Sequence, residues 1–374
     1  MKNQTPNPPE QAYMQRAIDL ALTAAGHTAP NPLVGAVIVK DGRIIGEGCH
    51  KQYGDLHAER SALAACTEDP AGADLYVTLE PCCHHGKQPP CTEAIIQAGI
   101  GRVIVGSRDP NPLVHGKGNA LLQQAGIETI TDFQRAACDA INPVFFHFIT
   151  TGKPYVVLKY AMTLDGKIAT VKGLSQWITG EEARAKVHQD RGRLTAIMAG
   201  VGTVLADDPL LTCRAPGGRN PIRIIVDSHL RTPLKSQLMA TAGDVPTILA
   251  TTTKDLHRQK PYRACGAQVL VTEPDEAGHV SLPALMSQLA EQNIDSILLE
   301  GGGALSWSAL SAGIVTRVQT YVAPKIFGGQ TATTPVGGPG VDAPDQAFCL
   351  ETQSVTPVGP DLLIESKVIL CSQD

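Results

Sequence analysis

The chain has 374 residues, 43% of them hydrophobic and 18% charged, with a formal charge of −5. At roughly 150 residues per domain this predicts two or three domains, two being the working assumption, each able to bury a core, so disorder is not the default. The mild acidity and the lack of any Lys/Arg run argue against a nucleic-acid partner, although a few local arginines suffice to hold one phosphate of a small anionic substrate.

The opening MKNQTPNPPEQAYM lacks the apolar core of a signal peptide, and no stretch approaches the ~18 apolar residues of a membrane span, so a cytoplasmic protein with no membrane partner is expected. Ten cysteines in so long a chain are too dilute for a disulfide scaffold, and only Cys82, Cys83 and Cys91 cluster.

In chain order, Tyr13, Ala17, Leu20, Ala21 and Ala24 fall at helical spacing within 10–25, with Gly26 as a stop. LVGAVIV (33–39) and RIIGEG (43–48), joined across Asp41-Gly42, predict a hairpin. A helix over 57–66, a strand over 74–80, a helix over 91–99, a strand over 102–107 and a helix near 118–125 follow, which makes the first half a layered α/β sheet. TTGKP (150–154) marks a boundary near 150. Beyond it come YVVLKYAM and strand-like runs at 195–199, 222–227, 246–251, 268–271, 295–299 and 318–323, alternating with helical stretches. No repeat or low-complexity segment is present, so solenoid and linker readings drop out.

His57-Ala58-Glu59 and Pro81-Cys82, followed by Cys91, supply one imidazole and two thiolates. Three protein ligands leave zinc a fourth position for water, which is the catalytic rather than the structural pattern. Zinc lowers the pKa of bound water to about 7, and Glu59, two residues past His57 at a helix start, can relay a proton from that water to a leaving amine. The same division of labour serves zinc nucleobase deaminases. Two blander readings compete: a closed site with Cys83, His84 or His85 as fourth ligand, and a Cys82–Cys91 disulfide. The first lacks paired C-x2-C spacing and the second does not suit a reducing compartment. Eight residues separate Cys82 from Cys91, where polynucleotide-editing deaminases have two.

The segment PCCHHGKQPPC, with PNPLVGAVIV and HAE upstream, resembles the deaminase half of the bifunctional riboflavin-biosynthesis deaminase/reductases; Gln88 stands where that family usually has Thr. LKYAMTLDGKIA (158–169) and SQWIT (175–179) are similar to the same family's reductase half. The resemblance implies a cytidine-deaminase-like three-layer domain over 1–150 and a dihydrofolate-reductase-like domain over 151–374. It implies zinc on His57, Cys82 and Cys91 with Glu59 as proton carrier, and Lys159 and Asp165 as catalytic residues beside the reacting sugar. Ser175, Arg191, Leu211, Arg214 and Glu300 would hold substrate. Ala161, Trp177, Thr203, Asp207, Ser228, Gly302, Gly303, Ala304 and Leu305 would hold NADPH.

Several of these have plain alternatives: Trp177 as a core side chain, Arg191 on a solvated helix face, the Gly triplet as a tight turn, Ser228 as a cap. Arginine does suit phosphate through its planar fork, and glycines before a helix start suit a pyrophosphate. The implied substrate is a small phosphorylated pyrimidine, deaminated to a uracil by zinc hydroxide and then reduced at the sugar by NADPH. A homo-oligomer, dimer or tetramer, is expected. Rival readings are a nucleic-acid or free-base deaminase with an accessory domain, and a zinc-stabilised binding module without turnover, for which Glu59 would have no use.

Overall fold

The computed structural model describes residues 8–85, 88–111 and 114–369. The chain divides into two compact units, Met1–Gly152 and Lys153–Asp374, against an expected boundary after 150. Among the described residues no helix is long and apolar enough to cross a membrane.

In the first unit, α1 (Pro8–Leu22) precedes β1 (Gly35–Lys40), β2 (Arg43–Cys49), α2 (Ala58–Ala64), β3 (Asp74–Leu79), α3 (Cys91–Gln97), β4 (Arg102–Ser107), α4 (Lys117–Gln124), β5 (Glu128–Ile130), α5 (Arg135–Ala140) and α6 (Pro143–Thr151). The sheet order is β2-β1-β3-β4-β5, antiparallel up to β3 and parallel beyond it. The β1–β2 turn closes with Asp41 and Gly42 at φ of 50° and 74°, the left-handed pair that Asp-Gly accommodates. The first helix stops at Leu22, earlier than the apolar spacing predicts, because the chain leaves it through turns that end in left-handed Gly26.

Three layers result. Met14, Ala17 and Ile18 of α1 pack on Val37, Tyr76 and Ile104 on one face. Ala62 of α2, Ile95 of α3 and Leu122 of α4 pack on Ile38, Leu75 and Val77 on the other. Helix α2 lies close on β2: a Cβ at Gly48 would sit 2.4 Å from the Ala62 nitrogen, so glycine permits the approach that seats the start of α2.

The second unit runs β6 (Tyr155–Thr163), α7 (Glu181–Arg193), β7 (Ala196–Gly200), α8 (Val201–Asp207), β8 (Ile222–Val226), α9 (Gln237–Ala240), β9 (Thr247–Thr251), α10 (Leu256–Ala264), β10 (Gln268–Val271), α11 (Leu282–Glu291), β11 (Ser296–Leu299), α12 (Gly303–Ser311), β12 (Arg317–Ala323), β13 (Cys349–Val358) and β14 (Asp361–Ile369). Its sheet has the order β10-β9-β8-β7-β11-β6-β12-β14-β13. It is parallel up to β12, and β14 and β13 then pair antiparallel at one end. Leu282, Leu285, Met286 and Leu289 place the apolar stripe of α11 against Val156, Met198 and Ile224. The opposite face is covered by Val204, Leu238 and Tyr262 over Ile197, Ile225 and Leu249. The β13–β14 hairpin was not among the sequence-predicted strands; almost all β13 side chains are exposed, so its sequence carries no buried alternation.

Candidate active sites

Three short elements converge in the first unit. His57 is the N-cap of α2, in extended conformation, Cys91 is the first residue of α3, and Cys82 lies in the loop that leaves β3. The His57 Nδ1 is 3.4 Å from the Cys82 Sγ and 3.4 Å from the Cys91 Sγ. All three ligand atoms lie within 4.8 Å of one another, the one such group among the described residues. A tetrahedral zinc with Zn–S near 2.3 Å and Zn–N near 2.0 Å requires N–S separations of about 3.5 Å, so the donor set fits that ion in both chemistry and spacing.

The Cys82 sulfur also accepts the Cys91 backbone N–H at 3.3 Å, while Cys82 O accepts from both the backbone N–H and the hydroxyl of Thr92, at 3.2 and 3.3 Å. Hydrogen bonding from Cys91, then from His57, draws the Cys82 thiol down to about 4, and the same contact holds Cys91 up, so one charge is shared between them. Cys83, His84 and His85 are outside the cluster, and the His84 Nδ1 is buried with no hydrogen-bond partner.

Glu59, the second residue of α2, is 4% exposed and faces a cavity of about 280 Å³ that His57 and Cys82 also line. Burial, then the negative charge of Cys82, pushes its carboxyl up to about 7, so it can both take and give a proton near neutrality. The loop between the thiols is held by its backbone: Arg60 donates to Pro89 O at 3.2 Å and to Pro90 O at 3.0 Å. Gln88 donates to Gly54 O at 3.2 Å.

Sequence reasoning missed other residues lining this cavity, among them Asn31, His50, Asp109 and Asn111. Burial lowers the His50 pKa, leaving its ring neutral between Leu56 O at 3.1 Å and the Asn31 amide at 3.1 Å. Burial raises Asp109 to about 6. Asn31 stands in the PNPLVGAVIV segment but was given no role there, and His50, Asp109 and Asn111 stand in no motif, so only their convergence on one cavity reveals them.

In the second unit, a cleft of about 280 Å³ is lined by Lys159, Ala161, Ser175, Trp177, Arg191, Asp207, Arg214 and Glu300, all expected from sequence. At its base Arg191 donates to both oxygens of Glu300, at 2.7 and 3.1 Å, and Lys159 adds a contact at 3.3 Å. Burial alone would raise the Glu300 carboxyl, but Lys159 and Arg191 outweigh it and hold it at about 2. Trp177 is 59% exposed, with the Arg184 guanidinium 4.7 Å from its ring centre, so it is a surface wall rather than a core residue. The sequence also gave no signal for His188, Arg184 or Tyr321 in this cleft.

Strands β7 and β11 are neighbours, and their carboxyl ends feed α8 and α12 side by side. A Cβ at Gly302 would lie 3.9 Å from the Thr203 hydroxyl, which brings Thr203 together with the Gly302–Leu305 segment. Gly302 caps α12 without any side-chain hydrogen bond, so the first backbone N–H groups are open to an anion. These features fit a dinucleotide phosphate at the carboxyl end of a parallel sheet.

Thr203 and Gly302–Leu305 are not among the residues lining the cleft, and three further predicted residues, Asp165, Ser228 and Leu211, also stand apart from it. The Asp165 carboxylate accepts from the Thr163 hydroxyl at 2.5 Å and from the backbone N–H of Phe327 and Gly328 at 3.1 and 2.7 Å. The Ser228 hydroxyl is buried and accepts the Val280 N–H at 3.1 Å. Leu211 packs in the apolar cluster with Ile197 and Val204.

Residues 8–107 match the cytidine and deoxycytidylate deaminase zinc-binding region, and residues 154–364 match the RibD C-terminal domain. The riboflavin biosynthesis protein RibD of Actinobacillus pleuropneumoniae is 52% identical over 357 residues, 96% of this chain and 95% of that protein. The crystal structure of the Thermotoga maritima diaminohydroxyphosphoribosylaminopyrimidine deaminase/5-amino-6-(5-phosphoribosylamino)uracil reductase has a TM-score of 0.85 at 36% identity, covering 96% of this chain and 98% of that one. Acinetobacter baumannii RibD gives 0.86 at 34% identity, covering 97% and 99%. With both halves matched in order and relatives aligned over nearly its whole length, the chain belongs to the RibD family, and it is a bifunctional deaminase and reductase of riboflavin biosynthesis.

Proposed function

We propose that the first unit deaminates 2,5-diamino-6-ribosylamino-4(3H)-pyrimidinone 5′-phosphate and that the second reduces the ribosyl group of the resulting uracil to give 5-amino-6-(5-phosphoribitylamino)uracil. Zinc held by His57, Cys82 and Cys91 supplies Lewis-acid activation of water when bound. Glu59 takes the proton of the attacking water and delivers it to the departing amine, so that water is consumed and ammonia released. The observation that carries this half is the buried Glu59 carboxyl group lining the same cavity as His57 and Cys82 of the three-donor cluster.

In the second unit NADPH supplies the hydride when bound. Lys159 donates a proton to the sugar oxygen as the ring opens, and Glu300 holds Lys159 and Arg191 in place for it. Arg191 and Arg214 attract the anionic substrate, with Arg214 on the phosphate and Ser175 on the pyrimidine side. Trp177, Ala161 and Asp207 border the cofactor, and Thr203 with Gly302, Gly303, Ala304 and Leu305 cradle its phosphates. Asp165 serves by tying the 163–167 turn to residues 327 and 328. Leu211 shapes the wall beneath the substrate and Ser228 the far cofactor end. A cytoplasmic setting, with NADPH and reduced thiols, and an assembly of two or four copies belong to the same reading; light scattering tests the latter.

The test is Glu59→Gln with metal content measured. Zinc should be retained and ammonia release should fall by about 10²–10⁴-fold, while NADPH oxidation with supplied deaminated intermediate continues. Unchanged deamination would sink the assignment.

A further inference from the structure

Helix α7 and the irregular segment 212–214 are joined at three points. Arg191 donates to Thr212 O at 3.0 Å, the Cys213 thiol donates to His188 O at 3.0 Å, and the backbone N–H of Arg214 donates to His188 Nδ1 at 3.1 Å. The last of these is a side chain acting as an acceptor for the very residue whose guanidinium enters the cleft. Segment 212–214 has no regular secondary structure of its own and follows Leu211 at φ 51°, so its backbone depends on such outside partners.

We infer that His188 is a positioning residue for the reductase: by accepting the Arg214 N–H it fixes segment 212–214 on α7 and sets the Arg214 guanidinium at the substrate phosphate. This rests on the reading of Arg214 as a phosphate ligand. An imidazole nitrogen can accept only while it carries no proton. Burial, then the charges of Arg191, Arg214 and Lys159 with Glu300 opposing, holds His188 at about 4, so the ring is neutral and its proton sits on Nε2. Lys159, Arg184, Arg191 and Arg214 already give this cleft four cations against two carboxylates, Asp207 and Glu300. A neutral acceptor orders Arg214 without adding a further positive charge, which an arginine or lysine at 188 could not do.

The test uses the full chain, with deaminated intermediate and NADPH as substrates. His188→Phe keeps a planar ring but removes the acceptor. It should raise KM for the phosphorylated uracil about tenfold, as expected for one lost hydrogen bond, change kcat by less than about threefold, and leave KM for NADPH unaltered. Inhibition by inorganic phosphate should weaken in parallel. His188→Asn, whose amide oxygen can occupy the place of Nδ1, should restore KM, whereas His188→Gln should not; this pair decides the matter even if the Phe variant folds poorly. A wild-type KM in His188→Phe, or equal defects in the Asn and Gln variants, overturns the proposal. Arg214→Met separates the two ideas: an unchanged substrate KM there overturns the phosphate reading itself, while a raised KM there beside a normal His188→Phe overturns the positioning role alone.

Discussion

Arg191 grips Glu300 through two hydrogen bonds of 2.7 and 3.1 Å, with both side chains about 14% and 13% exposed. Lys159, equally enclosed, leans on the same carboxylate. The triad carries one net positive charge inside a cleft, where low dielectric strengthens its pull on an anion.

Replacing Glu300 by Gln would leave two enclosed cations with no counter-charge. The reductase unit should lose about 3–5 kcal/mol of stability, and NADPH oxidation should fall at least about 100-fold as Lys159 loses its fixed position, with deamination untouched. Thermal denaturation followed by both activities checks this; an unshifted midpoint contradicts it.

Acid should shift the stability of the two units in opposite senses. Glu300 is held at about 2, below its ordinary 4.5, so the stability it contributes is complete above pH 4.5 and is lost from there down to 2. His188, held at about 4 against an ordinary 6.5, takes its proton first in the unfolded chain, so stability falls as pH drops from 6.5 to 4. Asp109 of the deaminase is raised by burial to about 6 from 3.8, so protonation on the folded side favours folding as pH falls through that window. The chain's two tryptophans, Trp177 and Trp307, both belong to the second unit. Their fluorescence midpoint should decline between pH 6.5 and 4, by an amount equivalent to about 1–2 kcal/mol once solvent screening of the half-exposed His188 ring is allowed for. A flat profile over that interval would rule the account out.

Arg223 is fully buried in strand β8 and its hydrogen bonds go to neutral oxygens: the hydroxyls of Thr247 and Thr241 and the carbonyls of Leu210, Leu238 and Val245. Burial lowers its pKa to about 10, yet it stays charged at neutrality. Lysine has three donors and cannot reach five acceptors, so Arg223→Lys should cost about 2–4 kcal/mol. Urea unfolding with a midpoint equal to wild type would refute this.

At Gly303 the usual gain from putting alanine in a helix is reversed. A Cβ there would lie 2.9 Å from both Gly337 N and Thr334 O, atoms of a backbone already bonded to Gly303 O at 2.9 Å. Backbone cannot swing aside as a side chain does, so Gly303→Ala should destabilise by about 1–3 kcal/mol and raise KM for NADPH. Cofactor affinity equal to wild type, read by NADPH fluorescence, would show the loop yields.

The zinc-type cluster was legible because chemistry restricts it: His57, Glu59, Cys82 and Cys91 have few other reasons to occur together, and two of the ligands mark helix starts. The Asp41-Gly42 hairpin was legible for a local reason, the left-handed conformation its turn requires. Other features depend on contacts distant in sequence. His188 lies in the charged run EEARAKVHQDRGR and acts 26 residues away, and Arg223 interrupts an apolar strand with no visible reason until its five acceptors assemble. Asp165 was recognisable as a carboxylate of interest, but its partners at 327 and 328 lie more than 160 residues on.

Helix α2 carries Glu59 and, one residue later, Arg60, which clasps the carbonyls of Pro89 and Pro90 just ahead of Cys91. Because that clasp reads only main-chain oxygens, side chains in the interval between the thiols can change without dragging the second thiol out of register. Gln88, whose side chain reaches across to the Gly54 carbonyl, occupies one such position. The loop is thus a place where evolution or an engineer can retune the substrate while the hydrolytic machinery stays put.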